Sequence, residues 1–184
     1  MVHDRDARGL DPADLGPAPR RIVANLPYNA GTELLVGWLK GLSARPGSLA
    51  GMTLMFQREV ADRLAAAPGS KTYGRLSVFA QWLCEVRPGF TVPPDAFTPP
   101  PKVWSRIVHL TPREVPLARA DPAALERVTG AVFGQRRKML RQSLKALGDP
   151  AALAHAAGVP ETARPEQLGV AAFCALARAL DGRG

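Results

Sequence analysis

The feature that most constrains the fold is a pattern written twice in the first third of the chain: a short apolar run followed at once by apolar residues at helical spacing. Arg21 to Ala24 reads as a buried strand, and Thr32-Glu33-Leu34-Leu35-Val36-Gly37-Trp38-Leu39 follows as a helix. Pro46-Gly47 breaks that helix; Met52-Thr53-Leu54-Met55-Phe56 then reads as a second buried strand running into a short amphipathic helix over Gln57 to Leu64. Strands joined through helices run parallel, so an α/β sheet is expected. The loop Pro68-Gly69-Ser70-Lys71-Thr72-Tyr73-Gly74 leads to helical periodicity from Arg75 to Val86, carried by Leu76, Phe79, Ala80, Leu83 and Cys84. A proline-dense connector over Pro93 to Pro101 precedes the strand-like Val103 to Leu110. After Thr111-Pro112 the character changes: Asp121 to Phe133, Lys138 to Leu147, Pro150 to Ala157 and Pro165 to Leu180 all read as short helices. Asp121-Pro122 is a good helix start, a capping side chain before a proline at the first helical position. Two domains are expected, an α/β domain over residues 1–112 and a small all-α domain over residues 113–184.

The end of the first strand carries chemistry. Asn25-Leu26-Pro27-Tyr28 puts an amide, a proline and an aromatic ring where the strand stops. Asn offers a side-chain carbonyl oxygen, Pro removes a competing N–H, and Tyr offers a π-face, which is the set needed to hold a flat base and accept hydrogen bonds from its exocyclic amine. The same four residues also suit a plain Pro-stiffened turn with its Tyr packed inward. Phe97 heads the rigid segment Thr98-Pro99-Pro100-Pro101-Lys102-Val103, as a fixed stacking ring or as the buried anchor of a connector. Phe133 to Lys145 contains no acidic residue. Its Arg136, Arg137, Lys138, Arg141 and Lys145 could track phosphates from one helix face or be merely solvated.

Charge favours a polyanionic partner: Lys plus Arg total 24 against 16 acids, a net charge of +8. Cys84 and Cys174 lie far apart in apolar patterns and read as buried reduced thiols rather than a disulfide. His3, His109 and His155 lack ligand spacing, so no metal is expected. No apolar run reaches the roughly 18 residues of a membrane span, and the charged start Met1-Val2-His3-Asp4-Arg5-Asp6 is unlike a signal peptide, so a cytoplasmic protein is expected.

Six motifs occur in order: Asn25 to Asn29, Gln57 to Leu64, Tyr73-Gly74-Arg75-Leu76-Ser77-Val78, Phe97 to Val103, Phe133 to Leu144, and Arg164-Pro165-Glu166-Gln167-Leu168. Together they resemble the ribosomal RNA adenine dimethyltransferase family over nearly the whole chain, from about Asp6 to Leu176. Ala30, where a larger aliphatic is usual, and Glu33, where proline is frequent, depart from its pattern. The resemblance implies methyl transfer from S-adenosylmethionine to N6 of two adjacent adenines in small-subunit rRNA. The expected partner is the assembling small ribosomal subunit, met by a monomer. It assigns catalysis to Asn25, with the carbonyl of Leu26 or Pro27, and to Tyr28 and Phe97 as the two sides of a base sandwich. Cofactor contact falls to Asp6 and Asn25, and RNA docking to the helical domain.

The fold it implies is a Rossmann-like methyltransferase sheet followed by a small all-α domain. Such a sheet needs a Gly-rich loop after its first strand and an acidic residue at the next strand end. Neither is found upstream of Asp6-Ala7, which matches the family's Asp-Ala after the third strand. The expectation is therefore a chain holding only the C-terminal part of the cofactor domain, N-terminally truncated and inactive alone. The alternative is a non-enzymatic RNA-binding remnant of the family.

Overall fold

A computed structural model describes residues 6–182; the charged start from Met1 to Arg5, His3 included, lies outside them. The chain divides into two compact units, residues 6–65 with Leu83–Glu114 and residues Ala66–Trp82 with 115–182.

In the first unit, β1 (Arg20–Asn25) leads into α1 (Gly31–Ala44), and β2 (Leu49–Gln57) into α2 (Arg58–Leu64). β1 and β2 are parallel, with Ile22 opposite Met52 and Asn25 opposite Met55, as the repeated pattern requires. α1 buries Leu34, Leu35, Trp38, Leu39 and Leu42, a helical stripe, and the chain turns at Gly47, whose φ of +79° suits glycine. β3 (Cys84–Val92) and β4 (Ser105–Pro112) complete a four-stranded sheet of order β1-β2-β4-β3, with β4 antiparallel to both neighbours.

Two expectations fail here. β1 is not a buried strand: its residues alternate between half-buried and exposed, and Val23 is 80% exposed, because β1 is an edge strand of the described sheet. The helix expected to run to Val86 instead ends at Leu83 (α3, Arg75–Leu83), and β3 begins at Cys84. Pro88-Gly89 ends the helical option, and β3 tolerates that proline as an edge strand with its register shifted between Pro88 and Thr91.

The second unit is helical. It contains α3 up to Trp82 with α4 (Pro122–Gly134), α5 (Leu140–Ser143), α6 (Pro150–Ala156) and α7 (Val170–Asp181). Residues 66–82 cluster with the helices of residues 115–182, and the first unit ends at Glu114. Asp121 caps α4 by accepting from the Ala124 N–H at 2.7 Å, and Asp149 caps α6 in the same way. α4 packs against α7, and a chain of rings lies between segments: Tyr73 meets Phe133 edge-on at 6.0 Å, and Phe133 meets Phe173 at 5.3 Å. The helix expected over Lys138 to Leu147 is broken into the single turn of α5 and a 3-10 stretch, Leu144–Leu147. The helix expected from Pro165 starts as a 3-10 turn and resumes only at Val170, after Gly169.

Candidate active site

Asn25 is the last residue of β1 and is exposed at the carboxyl end of the parallel pair, where α/β sheets present their ligand crevices. Leu26 turns its side chain inward, 7% exposed, and anchors the turn. The Pro27 carbonyl accepts the N–H of Ala30 at 3.1 Å and of Gly31 at 2.8 Å, so it starts α1 and is used up. That start is tight: a Cβ on Gly31 would lie 3.2 Å from Leu26 Cβ and 3.2 Å from Phe56 Cε1. Tyr28 is 39% exposed as a residue, and its hydroxyl lies 2.6 Å from Oγ of Ser105, the first residue of β4. Sequence reasoning missed Ser105, since a single serine at a strand start carries no periodic signal.

Phe97 follows a 3-10 turn, Pro94–Ala96, and is half-buried with extended backbone. No ring contact joins it to Tyr28 among the described residues. The start of β4 is braced: Arg106 bonds Asp62 at 2.8 Å and the Gly89 carbonyl at 3.2 Å, and the Trp104 carbonyl accepts from the Arg58 N–H at 2.8 Å. Asp6 caps the 3-10 turn Ala7–Gly9 and accepts from the backbone N–H and guanidinium of Arg8, which holds its carboxyl below the usual carboxylate range. Beside it, Ala7, Leu10, Leu34 and Trp38 together with the charged Arg8 and Asp11 line a cavity of about 230 Å³.

The basic segment divides by role. Arg137, Lys138, Arg141 and Lys145 are exposed. Arg136 is not one of them: its guanidinium donates to the carbonyls of Tyr73 and, at 2.9 Å, Ser70, with Nε 3.8 Å from the Glu166 carboxylate. Glu166 also accepts the Gly69 N–H through its backbone carbonyl at 2.6 Å. Three sequence motifs far apart in the chain, around Tyr73, Arg136 and Glu166, thus meet at one guanidinium in the helical unit.

A four-stranded sheet whose parallel pair β1 and β2 leads into an Asn-Leu-Pro-Tyr turn, accompanied by a helical unit, places the chain in the α/β class. The model of the ribosomal RNA adenine dimethylase family matches residues 17–181, and the chain belongs to that family. Ribosomal RNA small subunit methyltransferase A of Rhodospirillum rubrum is 62% identical over 97% of the chain, and that of Paramagnetospirillum magneticum is 59% identical over 97%. The chain spans 61% and 62% of those two relatives' lengths. Among solved structures, a dimethyladenosine transferase from Plasmodium falciparum superposes with a TM-score of 0.75 at 26% identity, covering 95% of this chain and 70% of that one. The 23S rRNA methyltransferase ErmE, 24% identical with a TM-score of 0.63, shares the fold, covering 98% of this chain and 71% of that one.

Proposed function

We propose that Asn25 to Tyr28 form the amine-positioning edge of an adenine N6-methyltransferase site acting on adjacent adenines of small-subunit rRNA. The observation that carries this reading is the use of the Pro27 carbonyl by α1. It leaves the Asn25 carboxamide oxygen and the Leu26 carbonyl as the acceptors at the strand end. An adenine N6 lone pair is delocalised into its ring; two acceptors taking its two N–H bonds favour the pyramidal form and direct the lone pair outward. No strong general base is then needed for attack. Tyr28 supplies one stacking face and Phe97 the other, each worth about 1–3 kcal/mol against the cost of unstacking a base.

The donor set suits S-adenosylmethionine once Arg8 releases it: the exposed Asp6 carboxylate, now bonded to the Arg8 guanidinium, stands beside a cavity of mixed polar and apolar lining, and Asn25 stands at the parallel strand end. When bound, that cofactor supplies an electron-poor methyl group. Asp6 and Asn25 would hold it, while Arg137, Lys138, Arg141 and Lys145 would dock RNA phosphates of the assembling small subunit. Arg136 is left out of that set because its donors are used within the protein. A monomer working in the cytoplasm is the corresponding cellular form.

The test fuses this chain to the part of the Rhodospirillum rubrum relative that it does not match and follows labelled methyl transfer to small-subunit rRNA. Transfer is expected, and Asn25→Ala is expected to lower it about a hundredfold or more with RNA affinity little changed. Equal loss of transfer and affinity would contradict the role given to Asn25. A second reading, RNA binding without catalysis, draws on the exposed basic segment. A fused protein that binds RNA tightly and transfers no methyl would favour it.

A further inference from the structure

We infer that Ser105 is a positioning residue that fixes the Tyr28 ring, an inference that rests on the base-stacking reading above. Ser105 is fully buried, and a buried hydroxyl without a partner is costly. Its Oγ lies 2.6 Å from the Tyr28 hydroxyl, 77 positions away in sequence. Ser105 is itself held by the sheet: it pairs with Gln57 of β2 and Val92 of β3, and the carbonyl just before it accepts the Arg58 N–H. Tyr28 lies in a turn, and the residue is 39% exposed. No other hydrogen bond reaches its hydroxyl among the described residues.

The arrangement separates two jobs on one side chain. The hydroxyl end is tied to a rigid strand, and the residue stays partly exposed, which the stacking reading needs. A tyrosine side chain has two main torsions, and a hydrogen bond at the far end of the ring restricts both. A ring ordered beforehand spares the entropy of ordering it when a base arrives. Ser105 touches no base; it acts through Tyr28.

Two readouts test this on the 184-residue chain, which has only two tyrosines, Tyr28 and Tyr73. The chain is labelled with 3-fluorotyrosine for NMR and titrated with a single-stranded RNA carrying 2-aminopurine, whose fluorescence drops on stacking. Ser105→Ala is expected to move the Tyr28 resonance and leave that of Tyr73. It should also weaken quenching-detected binding about three- to tenfold, the worth of one neutral hydrogen bond. Tyr28→Phe, which cuts the same bond from the turn side, should give the same loss, and the double variant no further loss. Tyr28→Phe also serves if Ser105→Ala does not fold. An unmoved Tyr28 resonance in Ser105→Ala overturns the inference, as does a moved resonance with unchanged binding while Tyr28→Ala loses it. If Tyr28→Ala itself binds like the parent, the stacking reading fails and takes the inference with it.

Discussion

Gly31 sits where the functional turn becomes a helix, and the space around it sets how firmly that turn is held. A methyl group there would stand 3.2 Å from both Leu26 and the Phe56 ring, closer than packed carbons tolerate. Gly31→Ala is expected to destabilise the protein by about 1–3 kcal/mol, read from the shift in urea midpoint. The thiols make a second residue-scale prediction. Burial pushes Cys84 up to about 12 and Cys174 up to about 11, both from 9.0. A folded pKa raised above the unfolded one contributes stability that is complete below the unfolded value and lost as pH rises toward the folded one. Stability is thus expected to fall from about pH 9 toward pH 11–12, with Cys84→Ala flattening that limb. Both thiols should resist alkylation of the native protein at pH 8 and react once it is unfolded. The roles proposed for Asn25 and Tyr28 are legible in the sequence because their chemistry is visible in the residue type alone. That the Pro27 carbonyl is taken up by α1 is not, since a backbone acceptor's availability depends on where the next helix begins.

At the scale of elements, periodicity found the helices and misjudged where they stop. The stripe Leu76, Phe79, Ala80 and Leu83 does belong to α3, but Cys84 continues that spacing by coincidence and opens β3 instead. The basic segment was misjudged for a related reason: its composition is continuous across positions 133–145 while its backbone breaks between α4 and α5. Charge is read from sequence, but the destination of each charge is not, and so Arg136 was grouped with its exposed neighbours. The two roles are separable by mutation. Arg136→Ala should cost about 2 kcal/mol of unfolding free energy, since it frees two carbonyls and leaves the Glu166 carboxylate without its cation. RNA affinity should fall only as far as folding does. Arg137, Lys138 and Arg141 changed together to Glu should leave the urea midpoint nearly unmoved. That triple variant should flatten the salt dependence of RNA binding, by about 0.7 in log–log slope for each phosphate no longer neutralised on a single strand. An unchanged slope would return those three side chains to simple solvation.

For the molecule as a whole, the residues proposed for the acceptor side, Asn25, Leu26, Tyr28 and Phe97, and those proposed for the cofactor, Asp6 and Asn25, all come from the α/β unit. The chain spans 61% of the Rhodospirillum rubrum relative's length, and S-adenosylmethionine is expected to bind the 184-residue chain more weakly than the fused protein; equal Kd values by calorimetry would contradict this. The two edges of the described sheet are unequal. β3 carries Pro88 and, in mid-strand, a register shift, devices that discourage a neighbouring strand from adding on. β1 has no proline, its register is irregular only at its very start, between Arg20 and Arg21, and Val23 stands out from it 80% exposed. Its guards are the charges of those two arginines at one end. The practical consequence is colloidal: concentrated solutions of this chain should self-associate through β1, growing worse as salt screens the arginines. Val23→Lys should raise the concentration at which light scattering first appears.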